Sequence, residues 1–288
     1  VAATASKTGR LHIVATPLGN VGDLSPRALS VLRDVDVVAA EDTRHSGRLL
    51  AHLGIRTPLV SCHEHNERGR ADELLARLAA GQSVALISDA GTPLISDPGF
   101  ELVRRARAAG VEVVAVPGPS AVTAALSVAG LPSDRFVFEG FPPAKRAARR
   151  QYFRSLRTQS RTMVFYESPH RIVASLADLC EAFGGDRPAV LARELTKLHE
   201  EVRDGTLETL HGRVQSGEIA VRGEFVIVVA GAAASAAPGD DVELERILRV
   251  LLERLPPAEA AAAASAITGA PRRHAYAMCL ELRRSDDP

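Results

Sequence analysis

The chain has 288 residues, 46% of them apolar and 24% charged, the balance of a soluble globular protein with room for two domains. Its 35 Lys and Arg match its 35 Asp and Glu, which excludes a global field drawing it onto nucleic acid or membrane but leaves local basic strips open. Three widely separated cysteines, Cys62, Cys180 and Cys279, suit neither a disulfide framework nor a zinc knuckle.

The opening "VAATASKTGRLHIVATPLG" lacks the apolar core of about 7–15 residues that marks a signal peptide. No run nears the ~20 apolar residues of a membrane span, so a cytoplasmic location is expected. Short apolar runs at 11–16, 35–40, 58–61, 84–88 and 111–116 then alternate with helical patterns near 25–33, 44–53, 67–80, 99–109 and 119–129. That rhythm predicts right-handed β-α-β units around a mostly parallel sheet, an α/β domain over 10–132 closed by the Gly and Pro of "GLPSD".

A second α/β domain is expected over 135–232. "RFVFEGF", "TMVFYE", "PAVLARE" and "EFVIVVAG" read as strands, and "EVRDGTLETLHGRV" as a hairpin edge and short helix. Basic residues dominate the helical pattern at 145–157. In "SPHRIVASLADLCEAFGG", Ser168 is expected to cap, Pro169 to take the first helical position and Gly184 to stop the helix. "AAASAAPGDD" (232–241) reads as a linker. Helical patterns at 242–255, 257–267 and 271–284 follow, within a module over 242–288. The last two, divided by "TGAP", suit a helix-turn-helix-like unit or a helical tail packed on the body.

Glycine and proline concentrate after the fourth and fifth strands, in "SDAGTPLISDPG" (88–99) and "VPGPSAV" (116–122). In open α/β sheets the ligand crevice lies beyond the carboxyl ends of strands, so these small-residue loops are the expected cofactor floor. The second "SDPG" reads as a helix start, with Ser96 or Asp97 as cap and Pro98 opening the helix. The first loop, "TPLGNVGD", has only part of a dinucleotide fingerprint, and no Walker A lysine motif occurs.

Eight ordered stretches, "VATPLGNVGDLSPRAL", "AEDTR", "ISDAGTPLISDPG", "VPGPSAV", "EGFPP", "FYESPHR", "ARELTKLHEE" and "GEFVIVV", together resemble the ribosomal RNA small subunit methyltransferase I family of the tetrapyrrole methylase superfamily. The resemblance implies a two-domain tetrapyrrole-methylase-like fold (class III SAM methyltransferase) with a small C-terminal helical module. It implies S-adenosylmethionine (SAM) as cofactor in the cleft between domains, and a homodimer. It also implies the substrate, a cytidine ribose 2′-hydroxyl in the decoding region of 16S rRNA, presented as 16S rRNA or as the small ribosomal subunit. Carried over by motif, the cofactor-binding positions are Pro17, Asp89, Gly91, Thr92, Ile95, Ser120, Ala121 and Tyr166. Thr92 stands where many tetrapyrrole methylases have an acidic residue.

Methylating a ribose oxygen needs a group that takes the hydroxyl proton. Three polar clusters are available, at 41–44, 62–67 and 193–201, and the third, at a strand end, is the first choice. His199 is the leading base, with Lys197 as a base if desolvated and Glu200 beside them; Asp42 belongs to the runner-up cluster, with helix capping as its other role. The His63–Glu64–His65 stretch lacks the further ligands of a zinc site, so no metal is assigned. For RNA, Lys145, Arg146, Arg149 and Arg150 form a basic strip, joined by Arg44 and Arg193, and "PRRHAY" (271–276) adds a second basic patch. Two other readings stay open: a SAM-dependent tetrapyrrole (precorrin-type) C-methyltransferase, and a non-catalytic RNA-binding assembly factor.

Overall fold

The computed structural model describes residues 9–63, 67–232 and 238–285. The expected linker and the His63–His65 stretch therefore fall partly outside the described residues. Five strands, β1 (Arg10–Val14), β2 (Val37–Ala40), β3 (Leu59–Ser61), β4 (Val84–Ile87) and β5 (Glu112–Val116), make a sheet in the order β3-β2-β4-β1-β5, parallel throughout. Every residue of β2 and β4 is buried, as expected of strands covered on both faces by helices. The crossovers are α1 (Pro26–Asp34), α2 (Thr43–His52), α3 (Glu67–Ala79) and α4 (Phe100–Ala108), and α5 (Ala121–Val128) leaves the sheet after β5. Ser25 caps α1, its hydroxyl accepting from the Ala28 N–H at 3.1 Å, with Pro26 at the first helical position.

The second sheet follows in the same compact unit, with order β6-β7-β10-β8-β9. Its strands are β6 (Phe136–Gly140), β7 (Thr162–Glu167), β8 (Pro188–Arg193), β9 (Glu201–Thr206) and β10 (Phe225–Val229). Only β6 and β7 run parallel; β10 is antiparallel to both neighbours, β7 and β8. Helices α6 (Arg146–Ser155), α7 (Ile172–Phe183) and α8 (Leu207–Gln215) cover one face, where Phe153, Phe165 and Phe225 are fully buried. Each such side chain contributes about 1.5–3 kcal/mol by leaving water. Gly184 ends α7 at φ 93°, but the start differs from expectation: α7 begins at Ile172, and Ser168 and Pro169 lie in the turn before it.

A second difference concerns α4. Its N-cap is Gly99 at φ 122°, with no side-chain cap, so neither Ser96 nor Asp97 caps this helix. Asp97 is turned instead toward a cavity.

Residues from Ala232 on form a separate compact unit of three helices, α9 (Pro238–Leu252), α10 (Pro257–Thr268) and α11 (Arg272–Ser285). Its core joins Leu244 and Leu248 to Ala260, Ala261 and Ala264, and to Ala275, Cys279 and Leu282. Gly269 ends α10 in the left-handed conformation at φ 76°, where a side chain would be strained. Among the described residues, no helix is long and apolar enough to cross a membrane.

Candidate functional site: a cavity at the strand ends

Three strand-end loops of the first sheet are laced together. The Thr16 N–H donates to the Gly91 carbonyl at 2.9 Å, and the Gly91 N–H returns the bond to Thr16 at 3.1 Å. The Thr92 hydroxyl donates to the Pro119 carbonyl at 2.9 Å, tying the loop after β4 to that after β5. Gly91 sits at φ 84°, and a Cβ there would meet Leu18 Cδ2 at 3.1 Å, so the close approach needs glycine.

Beyond Pro93 the same loop holds two non-glycine residues at positive φ, Leu94 at 71° and Ser96 at 70°. Such conformations cost about 1–3 kcal/mol each and persist where the surroundings impose them. Between and after them, Ile95 and Asp97 line a cavity of about 340 Å³. Ser120 and Ala121, at the start of α5, line it too. The second sheet supplies the opposite wall through Phe141, Tyr166, Glu167, Phe225 and Val226. The Tyr166 ring packs edge-on to Phe138 at 4.8 Å and to Phe141 at 5.5 Å. Burial and then the nearby Asp97 push its phenol up to about 12, against the opposing backbone N–H of Val122 in α5.

The cavity wall is acidic. Burial, reinforced by Glu41 and Asp89, pushes the Asp97 carboxyl up to about 7 against an opposing hydrogen bond from Ser88. Glu41 is likewise raised, by burial first and then by Asp89. Three carboxyls crowded beside an apolar hollow make a site that a bound cation would relieve.

At the rim, the loop after β8 carries the first-choice cluster. Glu194 (φ 52°) and Thr196 (φ 67°) are both in the left-handed region. Lys197 Nζ donates to Glu194 Oε1 at 2.9 Å and to Glu224 Oε2 at 3.0 Å. Burial opposes its charge, but those two bonds outweigh it and hold the ammonium above the ordinary lysine value. That pairing does not supply the desolvated, neutral amine on which the lysine-base expectation is conditional.

The remaining sequence-derived positions divide clearly. Asp89, Gly91, Thr92, Ile95, Ser120, Ala121 and Tyr166 all line the one cavity, whereas Pro17 is buried and its neighbour Leu18 reaches the lining instead. His199 and Glu200 are exposed and outside the lining, and Glu200 accepts from the Thr196 N–H. Asp42 caps α2, accepting from the Arg44 N–H at 2.7 Å, while its own N–H donates to Asp89 at 3.1 Å. Its carboxylate is committed to the helix terminus.

Arg149 is not on the surface: it is 3% exposed and pairs with the buried Asp178 at 2.7 Å, which removes it from the RNA-facing set. Arg193 pairs with Glu201 at 3.1 Å with its side chain largely covered, and Arg150 pairs with Glu181. Lys145, Arg146 and Arg44 are exposed. Sequence reasoning gives Glu41 only as a member of the 41–44 cluster and assigns no site role to Asp97 or Glu224; Asp97 is read there as a helix cap. Among the described residues no group of His, Cys, Asp and Glu could hold a metal.

Residues 10–211 match the tetrapyrrole (corrin/porphyrin) methylases, and residues 238–283 match the RsmI C-terminal HTH domain. The chain is 58% identical over 271 residues to ribosomal RNA small subunit methyltransferase I of Xylella fastidiosa (strain Temecula1), covering 94% of this chain and 99% of that protein. It is 55% identical over 276 residues to the protein of the same name from Pseudomonas aeruginosa PAO1, covering 95% and 97%. Among solved structures, uroporphyrin-III-C-methyltransferase from Thermus thermophilus superposes with a TM-score of 0.56 at 25% identity, over 77% of this chain and 94% of that one.

Proposed function

The chain belongs to the ribosomal RNA small subunit methyltransferase I family, a branch of the tetrapyrrole methylases, and from that premise we propose that it methylates the ribose 2′-hydroxyl of a cytidine in the decoding region of 16S rRNA. SAM-dependent methylation of small-subunit rRNA is the activity that goes with the family. Bound SAM supplies a methyl group already activated on a sulfonium, so the protein's task is to bind, position and deprotonate.

The observation that carries this reading is the acidic, half-apolar cavity at the strand ends. SAM is cationic at its sulfonium and ammonium, and Asp97, backed by Glu41 and Asp89, offers the complementary charge. Leu18, Ile95 and Ala121 offer apolar contact, and Ser120 and Tyr166 polar atoms, for its uncharged parts. The two sheets act as domains, 10–132 and 135–232, with this cleft between them. Lys145, Arg146 and Arg44 supply exposed cations for RNA phosphates. Lys197, fixed in its charged form, positions the rim, and His199 on the same loop takes the hydroxyl proton once RNA covers the rim.

The protein works in the cytoplasm as a homodimer, for which the exposed Val128 and Phe136 provide apolar surface. Labelled SAM incubated with undermethylated small subunits tests the reaction. One labelled cytidine should appear, with its 3′ linkage resistant to alkali; label on a base, with an alkali-labile linkage, overturns the 2′-hydroxyl assignment. Sedimentation at the monomer mass overturns the dimer.

A further inference from the structure

The C-terminal unit carries a surface that the methylation cavity does not explain. On α9 the exposed arginines are neutralised within their own helix: Arg246 pairs with Glu243 at 2.7 Å and Arg249 with Glu245 at 2.8 Å. On α11 no acidic partner meets Arg272 or Arg273 among the described residues, although both are exposed. The helix buries Ala275, Cys279 and Leu282 in the core of the unit. Its outer face then presents Arg273, Tyr276, Leu280 and Arg283 at helical spacings of three and four, with Tyr276 42% and Leu280 40% exposed.

Arg272, Arg273 and Tyr276 also share a concavity of about 330 Å³ with Ala258 of α10. A small residue at that position leaves room for a flat group beside the tyrosine ring. Unpaired guanidinium groups next to an exposed aromatic in an open hollow are the parts of a single-stranded RNA site, in which bases stack on rings and arginines take phosphates. A structural surface would more ordinarily pair its arginines, as α9 does. An acidic protein surface would meet the same cations but has no base to stack on the exposed ring of Tyr276.

We propose that the outer face of α11, with Ala258 of α10, binds a single-stranded RNA segment other than the nucleotide being methylated, one base stacking on Tyr276 and its phosphates held by Arg272 and Arg273. The choice of RNA over other polyanions rests on the reading under Proposed function. Such a site would tether the substrate through the accessory unit and leave the cavity to the reacting ribose.

The test measures binding of a labelled single-stranded RNA 12-mer, and of the matching DNA, to the full chain by fluorescence anisotropy across a salt series. Tyr276→Ala should weaken RNA binding by about 5- to 150-fold, the loss typical of one stacked base, and Tyr276→Phe should restore it. Arg272→Gln with Arg273→Gln should flatten the slope of log affinity against log salt by about 1.4, two phosphates at ~0.7 each. Melting temperature and calorimetric SAM binding should stay at wild-type values, which separates a lost site from a lost fold. Unchanged affinity and slope in both variants overturn the proposal. So does a loss with the arginines alone, equal for RNA and DNA and indifferent to Tyr276, because that describes a generic polyanion surface. If wild-type protein transfers no methyl group to small subunits while Tyr276→Ala still weakens RNA binding, the methylation reading falls and this site stands.

Discussion

Gly19 and Lys197 interlock across the cleft: a Cβ on Gly19 would lie 2.1 Å from Lys197 Cγ, so the lysine stem occupies the space that the missing side chain leaves. The lysine then reaches Glu194 and Glu224, and Gly223 is as tightly placed, since a Cβ there would meet Glu194 Cδ at 2.3 Å. Gly19→Ala should therefore displace Lys197, weaken SAM binding about tenfold and lower the melting temperature. Lys197→Ala in the same chain should recover part of the melting temperature, because truncating the stem removes the clash. Calorimetry and thermal melts on the double-mutant cycle check this, and additive effects would rule out the interlock.

The acidic wall sets a pH dependence whose sign follows from Asp97. Its carboxyl titrates at about 7, so it is largely neutral below that pH and anionic above it. Affinity for cationic SAM should rise as pH passes from 6 to 8, and calorimetry should show a flat, weaker profile for Asp97→Asn. Folding responds oppositely. The folded pKa exceeds the unfolded one, so the native state holds the extra proton between about 4 and 7 and loses stability as pH rises through that window. Asp97→Asn should thus melt higher than wild type at pH 8 in the absence of SAM.

Strain in the β4 loop makes a separate prediction. Ser96 is exposed at φ 70°, a conformation that glycine adopts freely. Ser96→Gly should stabilise the protein by up to about 1 kcal/mol in urea unfolding, since the left-handed conformation costs an L side chain ~1–2 kcal/mol and glycine's extra unfolded freedom offsets part of that. A lower unfolding midpoint would mean that the serine hydroxyl contributes more than the backbone costs.

Arg149 and Asp178 predict a purely structural defect. Removing one partner of a buried ion pair leaves a charge without compensation and costs about 3–5 kcal/mol. Arg149→Ala should fall in that range by urea unfolding. Lys145→Glu should leave the unfolding free energy within about 0.5 kcal/mol of wild type and lower RNA affinity instead, whereas Arg146 also reaches the buried Asp178 at 3.4 Å and is left in place.

Hydrophobic rhythm located nearly every element, because strands such as Val84–Ile87 and Phe225–Val229 are continuous apolar runs and the helices carry Pro and Gly at their ends. Antiparallel insertion of β10 between β7 and β8 was not legible, since pairing partners leave no mark on a strand's own pattern. At the site, motif positions converged on one cavity wherever backbone geometry dictated the residue, as at Gly91. The misses have a common origin. Asp97 is set by burial and then by Glu41, Arg149 by Asp178, and Lys197 by Glu224 as well as by nearby Glu194, and spacing along a sequence does not report the distant neighbours.

The central place of β10 bears on how the chain is made. It is the last strand of the body to leave the ribosome, yet it pairs on both edges and contributes Phe225 and Val226 to the cavity. Until residue 229 emerges, β7 and β8 have no partner between them, and the cavity wall stands open. The parallel first sheet can form earlier, from contacts complete by Val116. Synthesis thus orders the two halves, and the cavity is completed in one late step rather than growing with length.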